Sequence, residues 1–418
     1  MKRAIGVSLL AGIVLVFALV TGFSLLTRLF YVLALTVAGS FLWAWLSLRW
    51  LEIGVERRTP RVHVGALVDE RITVRNQGWL PKPWLEVVEL TDIPGHQSGM
   101  TVSLPGKGFR SWRTSTRSSR RGVYRLGPLR IATGDALGLF RLERQYAGSQ
   151  QVLVLPAVLP IARFVIPSAD MPGDGPVRQR SFDVTPHAAS VRDYVPGDSV
   201  SRIHWPTSAR TGQLAVKEFD LGLTSDVWVL LDLEAVSHLQ DGEDSAEEMA
   251  VTAAASIARH LLLKGQPVGL AVNGQPLAMV PPDRGYLQDA RFLDMLAQVN
   301  GDGAVPLHEA IAHVDPWLGR HTTLVVVTSS SSPRWLEALD NLAHRSVRLA
   351  AVLIDGATFG GGDSPRALLP ALSELGATSY VVGKGDDMSR ALSYPSTAQR
   401  DVLYRVSGGI PLSQEGVR

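Results

Sequence analysis

The sequence contains no cysteine in its 418 residues. That absence excludes a disulfide framework, a thiol nucleophile and a zinc–thiolate site together. It says nothing about compartment. Net charge is nearly absent too: at a formal +2, no global field points to nucleic acid or to an acidic partner. Charge is missing locally in two long stretches, Ile5 to Leu26 and Leu29 to Leu48, separated by Thr27-Arg28. Each approaches or exceeds the roughly 20 residues a helix needs to cross about 30 Å of hydrocarbon. A lone segment crosses lipid only as a helix, because the backbone finds no other hydrogen-bond partner there. Trp43, Trp45 and Trp50 stand near the end of the second stretch, where indole rings favour the headgroup boundary.

A cleaved signal peptide also begins with basic residues before an apolar run, as Lys2-Arg3 does here. The first stretch is longer than a usual signal core, and no small-x-small cleavage site leads into soluble sequence. A second apolar stretch follows at once. A two-helix transmembrane hairpin over 1–51 is therefore the expectation. Lys2 and Arg3 precede it, Arg49, Arg57, Arg58 and Arg61 follow it, and the turn carries only Arg28. The positive-inside rule then keeps both ends, and the soluble body, in the cytoplasm. The predicted location is the inner (cytoplasmic) membrane, multi-pass.

Residues 52–166 read as short alternating runs, such as Arg71-Ile72-Thr73-Val74-Arg75 and Gln151-Val152-Leu153-Val154-Leu155, broken by Gly, Pro and Asn. This pattern predicts a β-sandwich. Within it, Lys107 to Arg130 holds eight basic residues and no acidic one, interleaved with Phe109, Trp112 and Tyr124. Contact with anionic lipid competes here with a solvated Arg-rich edge; no nucleic-acid motif accompanies the charge. Residues 167–223 comprise a Pro/Gly-rich linker and a polar segment.

From 224 to 385 strands and helices alternate. Val227 to Leu231, Val268 to Val272, Thr323 to Thr328 and Val347 to Ile354 are continuous apolar runs. Helical spacing runs over Ala246–Leu263, Leu287–Val299, Leu307–Leu318 and Trp335–His344. Such a pattern predicts an α/β domain with a mostly parallel sheet covered on both faces. A tail over 386–418, with room for a short helix, follows.

The densest set of hydrogen-bonding side chains is Val191 to Arg210. Arg192, Arg202 and Arg210 can each grip a carboxylate. Tyr194 and the Gly197-Asp198 turn precede His204, Trp205 and Ser208, and Lys217-Glu218 follows on a strand-like run. Three readings stay open: a polar network docking the two domains with Trp205 buried, a partner or ligand groove, and a hydrolase. The last would use His204 as base, Ser208 as nucleophile and Asp198 or Asp193 to orient, without a Gly-x-Ser-x-Gly elbow.

Tyr194-Val195-Pro196-Gly197-Asp198, Arg202-Ile203-His204-Trp205, Ser208-Ala209-Arg210 and Leu214-Ala215-Val216-Lys217-Glu218 closely resemble the signature of bacterial domain of unknown function 58 proteins. Arg121-Gly122-Val123-Tyr124, Gly127-Pro128 and Asp135 to Phe140 look like that family's upstream signature. Pro206 departs from it, standing where the family often has lysine. The resemblance implies a membrane hairpin, a β-domain and a von Willebrand factor type A-like domain. It also implies association with MoxR-type AAA+ ATPases. A metal-dependent adhesion site of that domain needs Asp-x-Ser-x-Ser, a threonine and a further Asp. Here Asp232 is followed by Leu233-Glu234-Ala235-Val236, Asp302 lies in a loop without threonine, and Ser329 stands where the later Asp would be. Only a degenerate site of Asp232, Glu234, Asp302 and Ser329 is expected, with no metal and no cofactor. The leading expectation is a non-enzymatic scaffold or adaptor with a protein partner, binding at the sheet's C-terminal edge or at Arg192–Arg210. The alternatives are a divalent-metal-dependent adhesion-type binder and the hydrolase.

Overall fold

A computed structural model describes residues 2–57, 60–146, 148–166, 188–195, 203–219, 226–235, 245–320 and 322–396. Two compact units divide the chain. One is Met1–Ala157 with Leu293–Gln298, and the rest of the described chain forms the other.

The first unit begins with helices α1 (Lys2–Thr21) and α2 (Ser24–Ser47), both long and apolar enough to cross a membrane. The break between them is short, and Gly22 at φ 66° supplies the left-handed turn that a side chain would resist. Ala4, Ala11 and Ala18 are buried on α1, and Ser40, Ala44 and Ser47 on α2. Small side chains let two backbones approach closely where lipid offers no hydrophobic drive for association. Leu19, Val20 and Leu35 are by contrast more than three-quarters exposed.

Nine strands follow. Strands β1 (Leu51–Arg57), β3 (Leu67–Asn76) and β6 (Phe109–Arg117) form an antiparallel sheet in the order β1-β3-β6. Strands β2 (Arg61–His63), β4 (Lys82–Thr91), β5 (Met100–Leu104), β7 (Gly122–Gly134) and β9 (Gln150–Leu155) form the order β2-β9-β7-β4-β5, and β8 (Arg141–Tyr146) pairs with β7. Val68, Glu70, Ile72, Val74 and Asn76 on β3 are buried, and the residues between them are not, as a period of two on a one-sided sheet requires. Ile72 and Val74 meet Leu85, Val87, Leu129 and Ile131 of the second sheet in a shared core.

In the second unit, β12 (Val227–Asp232), β13 (Val268–Asn273), β15 (Thr323–Thr328), β16 (Arg348–Ile354) and β17 (Thr378–Val382) run parallel. Strand β14 (Ala278–Asp283) adds an antiparallel edge, giving β14-β13-β12-β15-β16-β17. Every residue of β12, β13 and β15 is buried; helices on both faces remove the polar side and leave the continuous apolar runs seen in the sequence. Helices α6 (Leu307–Val314) and α7 (Arg334–His344) cover the face carrying Trp228, Leu230, Leu324 and Val326. Helix α4 (Ala246–Leu263) packs over β12, β13, β15 and β16, against the alternate residues. Its first turn is capped by Ser245 Oγ, which accepts from Glu248 N at 3.2 Å. The segment entering this unit is held to it: Leu159 N donates to Ser256 Oγ (2.9 Å), and Phe164 stacks on Tyr380 at 4.8 Å. The Tyr380 hydroxyl accepts from Val165 N (2.9 Å) and donates to Val165 O (3.0 Å).

Candidate functional site

The signature segment builds a small antiparallel pair, β10 (Ala188–Asp193) and β11 (Ala215–Phe219), bridged by helix α3 (Trp205–Thr211). Arg192, Lys217 and Glu218 take their places on these strands. Gly197, Asp198 and Arg202 lie outside the described residues. Tyr194 N donates to Leu214 O and His204 N to Ala215 O, both at 2.8 Å. Ser208 Oγ accepts from Ala215 N (2.9 Å) and donates to His204 O (3.1 Å), clipping the helix to β11. The His204 ring turns to Thr207 instead, with Nδ1 2.8 Å from its Oγ1. The hydroxyl and the imidazole expected to act as nucleophile and base thus each bond elsewhere, without the direct contact that an activated serine uses.

Trp205 was expected to be buried in a docking network; it is 61% exposed. It opens a seven-residue helix whose buried residue is Ser208, and among the described residues the indole is left largely uncovered. Pro206 sits in the first helical turn, where an amide N–H would have no intrahelical acceptor. That accounts for a proline being tolerated there. Arg210 is exposed in the last turn.

At the C-terminal edge of the parallel sheet, Asp232 is fully buried. Its Oδ1 accepts from Asn273 Nδ2 (3.0 Å) and Glu234 N (3.2 Å), and its Oδ2 from Thr328 Oγ1 (2.6 Å). The carboxylate therefore ties β13, β12 and β15 together. Glu234 bridges to Gly303 through the backbone, and a Cβ at Gly303 would stand 2.6 Å from Asn273 O and 2.7 Å from Leu233 O. Only glycine lets the 301–305 loop approach so closely. Asp302 Oδ1 accepts from Gln275 N at 3.3 Å. Among the described residues, Asp232, Glu234 and Asp302 do not bring their carboxylates within metal-sharing distance of one another.

Beside this clamp lies a cleft of about 290 Å³ lined by Glu234, the start of α6 (Pro306 to His308), Ser329 to Ser332, Arg334 and Trp335, and the Gly356–Asp363 region. Its serine run is locally ordered. Ser330 N donates to Thr328 Oγ1 (2.9 Å), Ser332 N to Ser330 Oγ (3.4 Å) and Arg334 N to Ser332 Oγ (3.5 Å). Each hydroxyl accepts from the amide two residues on, a turn-forming habit of serine. Ser329 lines the cleft together with Glu234. Helices α6 and α7 both start at this cleft behind prolines that offer no side-chain cap. The rim beyond is fastened by Asp355, which accepts from Ser364 Oγ (2.8 Å) and Arg366 Nε (2.6 Å).

The basic run Lys107–Arg130 divides among several environments. Arg110, Arg113 and Arg117 are exposed on β6, Arg121 is buried, and Arg130 lies 3.9 Å from Glu143. Its start joins an aromatic cluster at the end of α2. Gln77 N donates to Trp50 O and Lys107 N to Gly78 O, gathering exposed Trp50, Trp79 and Phe109 around the start of β1. No local pattern in the sequence marks Lys82. It is fully buried on β4 and donates from Nζ to Leu46 O, near the Trp50 ring at 5.7 Å. Tyr146 OH donates to Leu48 O at 2.9 Å. Two side chains from the strands thus donate to carbonyls at the end of α2, to Leu48 O and to Leu46 O, which also accepts from Arg49 N at 3.1 Å. Burial holds the Lys82 pKa below its ordinary value.

The described chain is a mixed α/β protein with several β-sheets and two N-terminal apolar helices. Residues 190–358 match the family described as "Protein of unknown function DUF58". The chain is 28% identical over 325 residues to the uncharacterized protein YeaD of Bacillus subtilis (strain 168), covering 75% of each. The two findings support the DUF58 family. The uncharacterized protein Rv1480 of Mycobacterium tuberculosis is 27% identical over 173 residues, 39% of this chain and 53% of that protein. Among solved structures, the CARDB domain of PF1109 from Pyrococcus furiosus covers 25% of this chain and 94% of its own, at 21% identity and a TM-score of 0.20, too low to support an assignment.

Proposed function

We propose that this protein is a non-enzymatic, membrane-anchored adaptor on the cytoplasmic face of the inner membrane. In this reading the α/β unit is von Willebrand factor type A-like and the β-unit a sandwich. The cleft at the sheet's C-terminal edge receives a protein partner, with a MoxR-type AAA+ ATPase as the proposed one. The observation that carries the reading is the state of Asp232. Its oxygens are engaged by Asn273, Thr328 and Glu234, so the crevice where open α/β sheets bind ligands offers hydroxyls, helix starts and Arg334 in place of a metal. The exposed Trp50, Trp79 and Phe109 with Lys107 suit a lipid headgroup boundary, which fits a body seated close to its anchor.

The test is affinity purification of the tagged full chain from membranes, as wild type and as Ser332→Trp, a substitution at an exposed position that fills the cleft. An AAA+ ATPase recovered with the wild type and lost with Ser332→Trp is the expected result. No stable partner on the wild type, or equal recovery with both chains, overturns the proposal.

A further inference from the structure

Four ionisable side chains meet inside the β-unit. Arg57 comes from β1, Glu70 from β3, Glu89 from β4 and His96 from the loop after β4, with side chains 8%, 0%, 0% and 1% exposed. Arg57 takes one oxygen of each carboxylate, donating from Nε to Glu70 Oε2 (3.4 Å) and from Nη2 to Glu89 Oε1. The two remaining oxygens, Glu70 Oε1 and Glu89 Oε2, each lie 3.2 Å from His96 Nε2. On the far side of the ring, His96 Nδ1 is 2.8 Å from Thr116 Oγ1. Glu70 Oε1 is fully buried and has no hydrogen-bond partner. Its approach to Nε2 is close in distance but lacks the alignment of a hydrogen bond.

A buried, unpartnered carboxylate oxygen is costly, and this one points at a nitrogen and towards a second carboxylate oxygen. We propose that Glu70 Oε1, Glu89 Oε2 and His96 Nε2 are the ligands of a divalent metal ion, best matched by Zn²⁺, that fastens the two β-sheets to each other. A tetrahedral ion with bonds of about 2.0–2.2 Å sets its ligand atoms roughly 3.4 Å apart, close to the 3.2 Å observed from Nε2. One imidazole and two carboxylates form a borderline set, too few oxygens for Ca²⁺ and without the sulfur that Cu(I) prefers. The outer groups already have the arrangement of a metal centre's supports. Arg57 orients both carboxylates through their far oxygens, and Thr116 can accept from Nδ1–H, which leaves the Nε2 lone pair for the ion. With a neutral imidazole, the ion balances the carboxylates and Arg57 leaves one positive charge, which a hydroxide as fourth ligand cancels. The site is enclosed, so the ion enters as the unit folds.

The experiment is a metal count on the full chain, purified in detergent from cells grown with added Zn²⁺, for wild type, Glu70→Gln and His96→Gln. About one Zn²⁺ per wild-type chain and at least a tenfold loss in both variants is expected, given that ligands and their supports govern affinity over 10–100-fold or more. Wild type with no more metal than His96→Gln, or metal retained by both variants, overturns the proposal. That result would leave a metal-free ion network in which His96 carries the proton. Should the variants fail to fold, wild type from Co²⁺-supplemented cells decides. Visible absorption of four-coordinate Co²⁺ with a nitrogen ligand is expected, and its absence is fatal to the idea.

Discussion

Replacing Asp232 by alanine removes the acceptor that joins three neighbouring strands. Thr328 O–H, Asn273 N–H and the Glu234 amide lose their partner at once. A buried donor left without an acceptor costs roughly 1–3 kcal/mol. Asn273 and Thr328 are fully buried and bear the full penalty, whereas Glu234 is half-buried and can turn to water. Asp232→Ala is therefore expected to cost about 3–5 kcal/mol, a large share of the ~5–15 kcal/mol that holds a domain together. Asp232→Asn keeps one acceptor oxygen and the volume, so about 1–2 kcal/mol is expected. Hydrogen exchange on the full chain in detergent micelles, read on peptides from β12, β13 and β15, measures both. A clamp loses protection to the same degree with and without Mg²⁺. The reasoning fails if Asp232→Ala is as protected as wild type. It fails equally if Mg²⁺ protects the wild type and not the variant, because Asp232 would then be acting as a metal ligand.

Two further perturbations probe the joints of the molecule. Tyr380→Phe removes both hydrogen bonds to Val165 and should cost about 1–2 kcal/mol. Burial pushes the Tyr380 phenol up to about 12, so its contribution is whole below the ordinary value of about 10 and is lost as pH rises from there to about 12, by roughly 2–3 kcal/mol at most. Urea unfolding between pH 10 and 12 should therefore weaken more steeply for wild type than for Tyr380→Phe, and equal slopes would refute this account. Lys82→Met keeps the buried volume but removes the side-chain donor from Leu46 O, which keeps only the Arg49 amide at 3.1 Å, a loss of up to about 1 kcal/mol at the helix end. Trypsin should cut after Arg49 several-fold faster in the variant, and an unchanged rate would show that the cap carries no load.

Much of the architecture is legible in the sequence because it follows from which faces are buried. The helix expected over Ala246–Leu263 and the strand over Thr323–Thr328 occupy those residues, since a strand covered on both sides has no polar face to blur its ends. The apolar stretches give α1 and α2, but the break falls at Gly22-Phe23 rather than at the expected Thr27-Arg28, so that Arg28 lies within α2. What stays hidden is whatever depends on distant partners. Lys82 reads as an exposed strand residue until Leu46 is seen above it. Arg57, Glu70, Glu89 and His96 are spread over 40 positions and give no local pattern. Trp205 misleads for a related reason: a large apolar side chain predicts burial, yet on this short helix with proline at its second position it stays exposed among the described residues.

At the sheet's C-terminal edge, the way the side chains are bonded sets the chemistry the crevice can offer. A cation site needs oxygens facing outwards, with charge left over to hold the ion. Here the buried strand-end carboxylate accepts from a side-chain amide, a hydroxyl and a backbone N–H. The hydroxyls of Thr328, Ser330 and Ser332 each accept from the amide two residues ahead. What faces the cleft is accordingly weighted towards donors, with Arg334, His308 and the first amides of α6 and α7 on one side and Glu234 and Asp363 on the other. A mixed surface of this kind can select a partner by complementarity of charge and hydrogen bonding. That is the physical ground for proposing recognition at this edge.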